Sequence, residues 1–380
     1  IQEKLKVEER LPAALKFLAN NKLNEVFDGP SDDIGIICQG GLYNSAIRGL
    51  QQLGLADVFG DAQIPILCLN VTYPLLDDAI VSFCATKSAV LVIEEGWPDY
   101  LEQAINAILR KKDVNTTIVG KGPFPKVGEY QAEVMLKGIA GFVEGAVPRG
   151  VDLAPISAAV AKIDSTKSLA AELLGAPVPK RPPGFCTGCP ERPVFSALKL
   201  AQREEDIGEL HVSADIGCHS FAALPPFGIG NTITGYGLGL SSTAGVAPAM
   251  EKRTVSIMGD GGFWHNGLSS GISGAVFNKS DNVLIVMANG YSSATGQQHI
   301  PSTTAGGNVP PDTVVPIENV LKGLGIKWIR KQHTYQVGKM KNLLREALTT
   351  TEKGLKVIIA EAECQIAKQS RLRPLVAKAL

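Results

Sequence analysis

The sequence lacks an excess of charge of either sign. Lys plus Arg and Asp plus Glu both number 37 in 380 residues, so the formal net charge is zero. Bulk charge therefore favours neither nucleic acid nor an acidic membrane surface as a partner. The chain also lacks any apolar run of the ~18–20 residues that a membrane-spanning helix requires. Its 45% hydrophobic and 19% charged residues are enough to bury a sizeable core, which excludes wholesale disorder.

Features of a secreted protein are missing as well. The first ten residues are a mixed-charge stretch without a signal-peptide pattern. The seven cysteines are odd in number within a long chain, which argues against a secreted disulfide framework. We therefore expect a cytoplasmic protein. The chain begins with Ile1, which we interpret as a cut or processed terminus with a domain missing upstream.

Alternating strand and helix patterns predict an α/β fold with two parallel-sheet domains. We expect a middle α/β domain at residues 1–150, a linker at 151–184 and a second α/β domain at 185–380. The clearest boundary is the proline-rich stretch 176–183, because proline at this density cannot join a sheet ladder. The predicted strands are, in chain order, 34–38, 64–71, 89–93, 116–119, 212–216, 254–258, 283–287, 327–329 and 357–360.

The strongest local motif is Gly259-Asp260-Gly261-Gly262, which lies between a predicted strand and a predicted helix. Glycines allow the backbone to approach a phosphate, and a helix N-terminus favours an anion. An aspartate among them would repel the phosphate unless it holds a divalent cation that the phosphate oxygens also bind. Asn289 follows the next strand and the Tyr291 carbonyl offers a third oxygen, so the pattern favours a Mg²⁺–diphosphate site. The alternative is a tight turn in which Asp260 only caps the helix.

Cysteine spacing points to a second metal site. Cys186 and Cys189 form a CxxC motif, whereas Cys218 and Cys364 stand singly after predicted strands. Such a set can ligate an iron–sulfur cube. The spacing leaves three alternatives open: a structural zinc site that lacks its second CxxC, a thioredoxin-like redox pair outside its usual context, or four unrelated buried cysteines. The cysteines within apolar runs are expected in the core: Cys38, Cys68 and Cys84.

Together these motifs resemble those of the 2-oxoacid:ferredoxin oxidoreductases, which depend on thiamine diphosphate. The GDG segment followed by Asn289 is similar to their diphosphate-binding signature, and residues 295–298, TGQQ, resemble their TGxQ segment. The order of CxGC, DIGC and a late cysteine is similar to their cluster-ligating set. The segment RPPGFCTGCPER at 181–192, with DIGC at 215–218 and ALPP at 223–226, looks most like the large subunit of the indolepyruvate type.

The resemblance implies a set of site residues. It assigns Mg²⁺ to Asp260, Asn289 and the Tyr291 carbonyl. It assigns a [4Fe–4S] cluster to Cys186, Cys189, Cys218 and Cys364. The residues that it places at thiamine diphosphate are Asp215, Gly217, Gly259, Gly261, Gly262, Asn266, Thr295 and Gln298. His265 is the implied catalytic residue, with a simple helix-start role as the alternative. His219 is expected either beside the cluster or at the surface.

The resemblance also implies oxidative decarboxylation of an aryl-2-oxoacid, such as indolepyruvate, to acyl-coenzyme A and CO₂, with electrons passing through the cluster to ferredoxin. The alternatives are a non-redox thiamine diphosphate decarboxylase or carboligase with structural cysteines, or a non-catalytic scaffold subunit. By the same resemblance, residues 1–150 would correspond to a transketolase C-terminal-like middle domain, and residues 185–380 to a thiamine diphosphate- and cluster-binding domain with the diphosphate-type fold. The implied partners are a pyrimidine-binding domain, on another chain or a missing N-terminal segment, a small beta- or gamma-type subunit, ferredoxin and coenzyme A.

Overall fold

A computed structural model describes residues 1–175, 182–204, 207–304 and 314–379. Contacts divide the chain into two compact units, Ile1–Pro179 and Lys180–Leu380. The predicted proline-rich boundary and Arg181 lie almost entirely outside the described residues. The domain limits 1–150, 151–184 and 185–380 therefore stay a prediction.

The first unit is built on a sheet with the strand order β1–β3–β2–β4–β5. Its strands are β1 Glu25–Phe27, β2 Ile34–Gln39, β3 Ile66–Leu69, β4 Ala89–Ile93 and β5 Thr117–Val119. Neighbours are parallel except for β1, which pairs antiparallel with β3. The sequence pattern does not predict β1, because three residues are too few to show a period.

Helices cover both faces of this sheet. The helices of this unit are α1 Gln2–Leu5, α2 Leu11–Asn20, α3 Tyr43–Gln52, α4 Asp77–Cys84, α5 Tyr100–Lys111, α6 Ala132–Ala146 and α7 Ala154–Leu174, and those that pack on the sheet are α3 to α7. Residues from α3, α6 and α7 form one buried layer with β2 and β3, whereas α4 and α5 contribute to the layer on the other face. Cys38 and Cys68 lie in the first layer and Cys84 in the second, so their predicted place in the core is confirmed.

The second unit contains a sheet in which every neighbouring pair is parallel, with the order β10–β11–β9–β8–β6–β7. Its strands are β6 Val212–Ala214, β7 Thr232–Ile233, β8 Val255–Gly259, β9 Val283–Ala288, β10 Trp328–His333 and β11 Lys356–Glu361. The predicted fold class, α/β with two sheets built mainly of parallel strands, is confirmed.

The side chains of successive residues in β9 lie on opposite faces of this sheet. Val283 and Ile285 join the layer that α8 and α13 cover, whereas Leu284 and Val286 join the layer beside α12. The helices are α8 Arg192–Glu204, α9 Gly239–Val246, α10 Asp260–Gly262, α11 Ser273–Phe277, α12 Ile317–Gly323, α13 Val337–Thr349 and α14 Gln365–Ala379, with π-helical turns at Phe263–Ile272 joining α10 to α11.

Because both faces are covered, a ligand is expected at the carboxyl edge of the strands. No helix in the described ranges is long and apolar enough to cross a membrane.

Candidate functional site

Four adjacent strands of the second unit end in predicted site residues. Asp215 follows β6, Asp260 follows β8, Asn289 follows β9, and Cys364 lies just beyond β11. These strands are neighbours in the order β11–β9–β8–β6, and all run in the same direction. The parallel sheet therefore brings residues from distant parts of the chain to one edge.

Asp260 is buried at the start of the helix that follows β8. Its Oδ2 accepts from the Gly290 backbone N–H at 2.6 Å, and its Oδ1 from the Gly261 N–H at 3.0 Å. Burial raises the pKa of Asp260 to about 8, and the nearby charge of Glu191 acts in the same direction. A divalent cation bound here would favour the ionised carboxylate by supplying a countercharge.

Asn289 presents two different sides of its amide. The Nδ2 group donates to Glu191 Oε1 at 3.0 Å. The Oδ1 atom accepts from the Ser293 hydroxyl at 2.8 Å and from the Tyr291 N–H at 3.2 Å. The amide oxygen thus faces the loop that carries the predicted third oxygen ligand, the carbonyl of Tyr291.

A buried histidine and two carboxylates lie beneath this loop. His219 Nε2 is 2.6 Å from Asp215 Oδ1. Burial alone would lower the pKa of His219, but the hydrogen bond to Asp215 and the charge of Glu191 raise it overall. Glu191 Oε2 and His219 Nδ1 lie 3.9 Å apart, and neither has a hydrogen-bond partner among the described residues. His219 is only 2% exposed, so it lies beside the site rather than at the surface.

Neighbouring groups of the same unit fill the space beside the glycines of the motif. A Cβ added at Gly262 would lie 2.0 Å from Asp215 Oδ2, and one added at Gly261 would lie 2.1 Å from the Tyr236 hydroxyl. Asp215 Oδ2 accepts from the Gly237 N–H at 2.8 Å, and Tyr236 hydrogen-bonds Ser292 at 2.7 Å. Packing within the chain is thus one reason for glycine here, in addition to the predicted approach of a phosphate.

A cavity of about 260 Å³ opens at this edge of the sheet. The predicted site residues that line it are Gly217, Cys218, Gly259, Asp260, Gly261, Gly262, Asn289, Tyr291 and Thr295. Glu191, His219 and Tyr236 line it too. The predicted set omits Glu191 and Tyr236. Their only signal in the sequence is position, since Glu191 follows the CxxC motif and Tyr236 stands between two glycines.

Other predicted residues lie around the cavity without lining it. Asp215 is fully buried beneath it. Gln298 accepts from the Thr295 hydroxyl at 2.7 Å and closes the TGxQ loop. Asn266 Oδ1 accepts from the Ser270 hydroxyl at 2.9 Å. His265 is exposed, with its ring centroid 5.1 Å from that of Tyr236. Its catalytic role stays a prediction.

The four cysteines of the predicted cluster lie in one neighbourhood. Burial raises the pKa of the Cys218 thiol to about 12, and the charges of Glu191 and the other three cysteines act in the same direction. Cys364 N–H donates to the Asn289 carbonyl at 2.9 Å, and the Gln365 side chain approaches Gly188 of the CxxC loop.

Within the described ranges, no group of three or more His, Cys, Asp or Glu side chains is close enough to hold a metal ion. The four-cysteine ligand set therefore stays a prediction. So does the Mg²⁺ set, which draws on two side chains and a backbone oxygen. The chemistry of the donors nevertheless fits both groups, since thiolates suit iron–sulfur clusters and buried oxygens suit Mg²⁺.

Residues 215–360 match the family described as thiamine pyrophosphate enzyme, C-terminal TPP binding domain. The match begins at Asp215 after β6 and extends to Ala360 within β11, so it spans the strand ends that form the cavity. This part of the second unit is therefore similar to a thiamine pyrophosphate-binding domain.

The relatives of the whole chain are more specific. Indolepyruvate oxidoreductase subunit IorA of Methanothermobacter thermautotrophicus is 27% identical over 362 residues, which cover 93% of this chain and 53% of that protein. The subunit of the same name from Archaeoglobus fulgidus is 28% identical, covering 94% of this chain and 53% of that protein. This chain thus spans about half the length of the curated relatives it matches. The resemblance to the 2-oxoacid:ferredoxin oxidoreductases, and to their indolepyruvate type, is confirmed.

A solved structure is similar to part of the chain. The 2-oxoglutarate:ferredoxin oxidoreductase from Magnetococcus marinus, with 2-oxoglutarate, coenzyme A and succinyl-CoA bound, covers 49% of this chain and 66% of its own. The sequence identity is 16% and the TM-score is 0.42.

Proposed function

We propose that this chain forms the thiamine diphosphate-binding part of an enzyme that oxidatively decarboxylates an aryl-2-oxoacid, such as indolepyruvate, to acyl-coenzyme A and CO₂ and passes electrons to ferredoxin. The observation that carries the proposal is the group of acids and amides at adjacent strand ends, Asp215, Asp260 and Asn289, around a cavity within a matched thiamine pyrophosphate-binding domain. Similarity to indolepyruvate oxidoreductase subunits supports the reaction class. The cytoplasmic location stays a prediction.

The cavity has the groups to hold a diphosphate through a cation. Asp260, Asn289 Oδ1 and the Tyr291 carbonyl would hold Mg²⁺, with Thr295 and the motif glycines beside the phosphates. Thiamine diphosphate, when bound, supplies the thiazolium that stabilises negative charge on the substrate carbon. The chain's own contribution is to bury the diphosphate end and to hold a proton on His219 Nε2 against Asp215.

The same edge of the sheet would hold the electron acceptor. Cys186, Cys189, Cys218 and Cys364 would ligate a [4Fe–4S] cluster. Burial raises the pKa values of Cys189 and Cys218 to about 12 each, so in the metal-free protein both are protonated at neutral pH. Iron binding would displace these protons, because a coordinating thiol is deprotonated by the metal.

Metal analysis of anaerobically purified protein tests the cluster. We expect iron and sulfide in the wild type, with absorption near ~400 nm that is typical of iron–sulfur thiolate sites. Cys186→Ser should lose iron, whereas the matched control Cys84→Ser, which alters a core cysteine of the first unit, should keep it. Thiamine diphosphate binding without iron would favour the non-redox decarboxylase instead.

Turnover tests the proposed partners. We expect the chain alone to bind the cofactor weakly and not to reduce a dye acceptor with an arylpyruvate and coenzyme A. A pyrimidine-binding domain, supplied on another chain, should restore reduction, because general acid–base help is needed to ionise the thiazolium C–H. Sustained turnover by this chain alone would contradict the proposed need for that domain. Ferredoxin and a small subunit are the further proposed partners.

A further inference from the structure

Glu191 stands at the junction of the two proposed metal sites. It follows Cys189 by two positions and lies in the turn that leads into α8. Its backbone N–H and that of Arg192 hydrogen-bond the Cys189 sulfur. Its carboxylate is 3% exposed and reaches across to Asn289, which lies 98 positions further along the chain. One residue thus touches a predicted cluster ligand through its backbone and a predicted cation ligand through its side chain.

The hydrogen bond to Asn289 fixes which way the amide faces. The Tyr291 backbone N–H can only donate, so the amide atom beside it is Oδ1, and the Nδ2 group points at Glu191 Oε1, which accepts from it. The Oδ1 atom then faces Tyr291 and Ser293, whose N–H and hydroxyl donate to it. If the amide were reversed, its oxygen would face a carboxylate oxygen, and the cation site would receive an NH₂ group.

The second carboxylate oxygen of Glu191, Oε2, does not accept a hydrogen bond from Asn289. Oε2 is buried without a hydrogen-bond partner among the described residues, 3.9 Å from His219 Nδ1. The bond from Asn289 is therefore the hydrogen bond that the described structure gives to this buried carboxylate. Because an unpaired buried acceptor is costly, both residues favour the observed amide orientation.

We propose that Glu191 is a positioning residue that holds the Asn289 amide with its oxygen towards the cation site, and so connects the CxxC loop to that site. The inference rests on the proposed function, because it takes Asn289 as a ligand of the cation. Partners that orient metal ligands are worth about 10–100-fold in metal affinity. We therefore expect an effect of that size when Glu191 loses its ability to accept.

The test compares two substitutions that differ in this ability. Glu191→Gln loses the charge but keeps an amide oxygen that can accept from Asn289. Glu191→Met keeps the length of the side chain but has no oxygen. Glu204→Met, at the exposed end of α8 where Glu204 pairs with Lys341, is the matched control. The Mn²⁺ retained by residues 1–380 is measured by equilibrium dialysis against buffer with fixed concentrations of Mn²⁺ and thiamine diphosphate, and urea unfolding is measured in parallel.

We expect Glu191→Met to weaken Mn²⁺ binding about tenfold or more, while Glu191→Gln and the Glu204 control stay within about threefold of the wild type. If Glu191→Gln and Glu191→Met weaken Mn²⁺ binding equally, the charge of Glu191 determines the affinity, and the positioning role is wrong. If neither variant changes binding, the inference is wrong as well. Failure of the wild type to bind Mn²⁺ with thiamine diphosphate would overturn the proposed function and the inference together. Unfolding midpoints that match the wild type separate positioning from a general loss of stability.

Discussion

Replacing Gly262 by alanine should destabilise the second unit, although alanine is the better helix former. The new Cβ would lie 2.0 Å from Asp215 Oδ2, so the carboxylate must move by more than 1 Å to reach ordinary contact. That movement breaks the bond that Gly237 N–H donates to the same oxygen at 2.8 Å. A hydrogen bond to a buried charge is worth about 1.5–3 kcal/mol, and alanine returns about 0.5–1 kcal/mol of helix propensity. We expect a net loss of about 1.5 kcal/mol.

Gly274 provides the matched control. It lies in α11, on the same run of helical turns, and nothing lies within 4 Å of a Cβ placed there. Gly274→Ala should therefore stabilise the unit by about 0.5–1 kcal/mol. The same substitution, glycine to alanine, is thus expected to lower the free energy of unfolding at Gly262 and to raise it at Gly274.

The assay is urea unfolding in a Trp97→Phe background without cofactor. Trp97 is the one tryptophan of the first unit, so the remaining two, Trp264 and Trp328, report on the second. With a slope of about 1–3 kcal/mol per molar urea, the midpoints of the two glycine variants should differ by about 1 M or more. Equal shifts in the same direction would refute the reasoning, since they would show that Asp215 does not need the space at Gly262.

Three further predictions concern charges in the second unit. Asp260→Ala should abolish the Mg²⁺-dependent binding of thiamine diphosphate that calorimetry measures, because the diphosphate would face the site without its cation. An unchanged affinity for thiamine diphosphate would show that Asp260 does not belong to the site. Asp281→Asn should lower the free energy of unfolding by about 3 kcal/mol, because fully buried Lys356 would lose its paired carboxylate. Adding Lys356→Met should recover most of this loss. A double variant no more stable than Asp281→Asn would contradict the prediction. Burial alone would raise the pKa of Asp281, but the bonds from Lys356 and Arg253 lower it overall. Its stabilising contribution should therefore be complete above the unfolded pKa of about 3.9 and disappear as the pH falls through the lower folded value. Acid unfolding curves of the wild type and Asp281→Asn should converge at low pH, and curves that stay parallel would argue against it.

The sequence was sufficient to predict the strand ends of the site but not the contacts beneath them. Asp260 and Asn289 each follow a buried apolar run, and parallel strands bring such residues together whatever lies between them. Their convergence could therefore be predicted from the sequence alone.

Glu191 could not be found in this way. Its role depends on a contact with Asn289 across 98 positions, and a glutamate after a CxxC motif has no periodic pattern that signals this contact. The glycine motif was harder still, because its sequence does not say whether a phosphate or a neighbouring side chain takes the place of each missing Cβ. The structure shows that Asp215 and the Tyr236 hydroxyl lie where these Cβ atoms would be.

The strand order of the second sheet has a consequence for biosynthesis. β11 lies between β9 and β10, although both precede it in the chain. During translation, β9 and β10 are therefore made before the strand that must separate them, and until Lys356–Glu361 leaves the ribosome each has an unpaired edge on that side. Such edges are templates for aggregation. The contact between Asn289 and Cys364 also forms only after this last strand has been inserted.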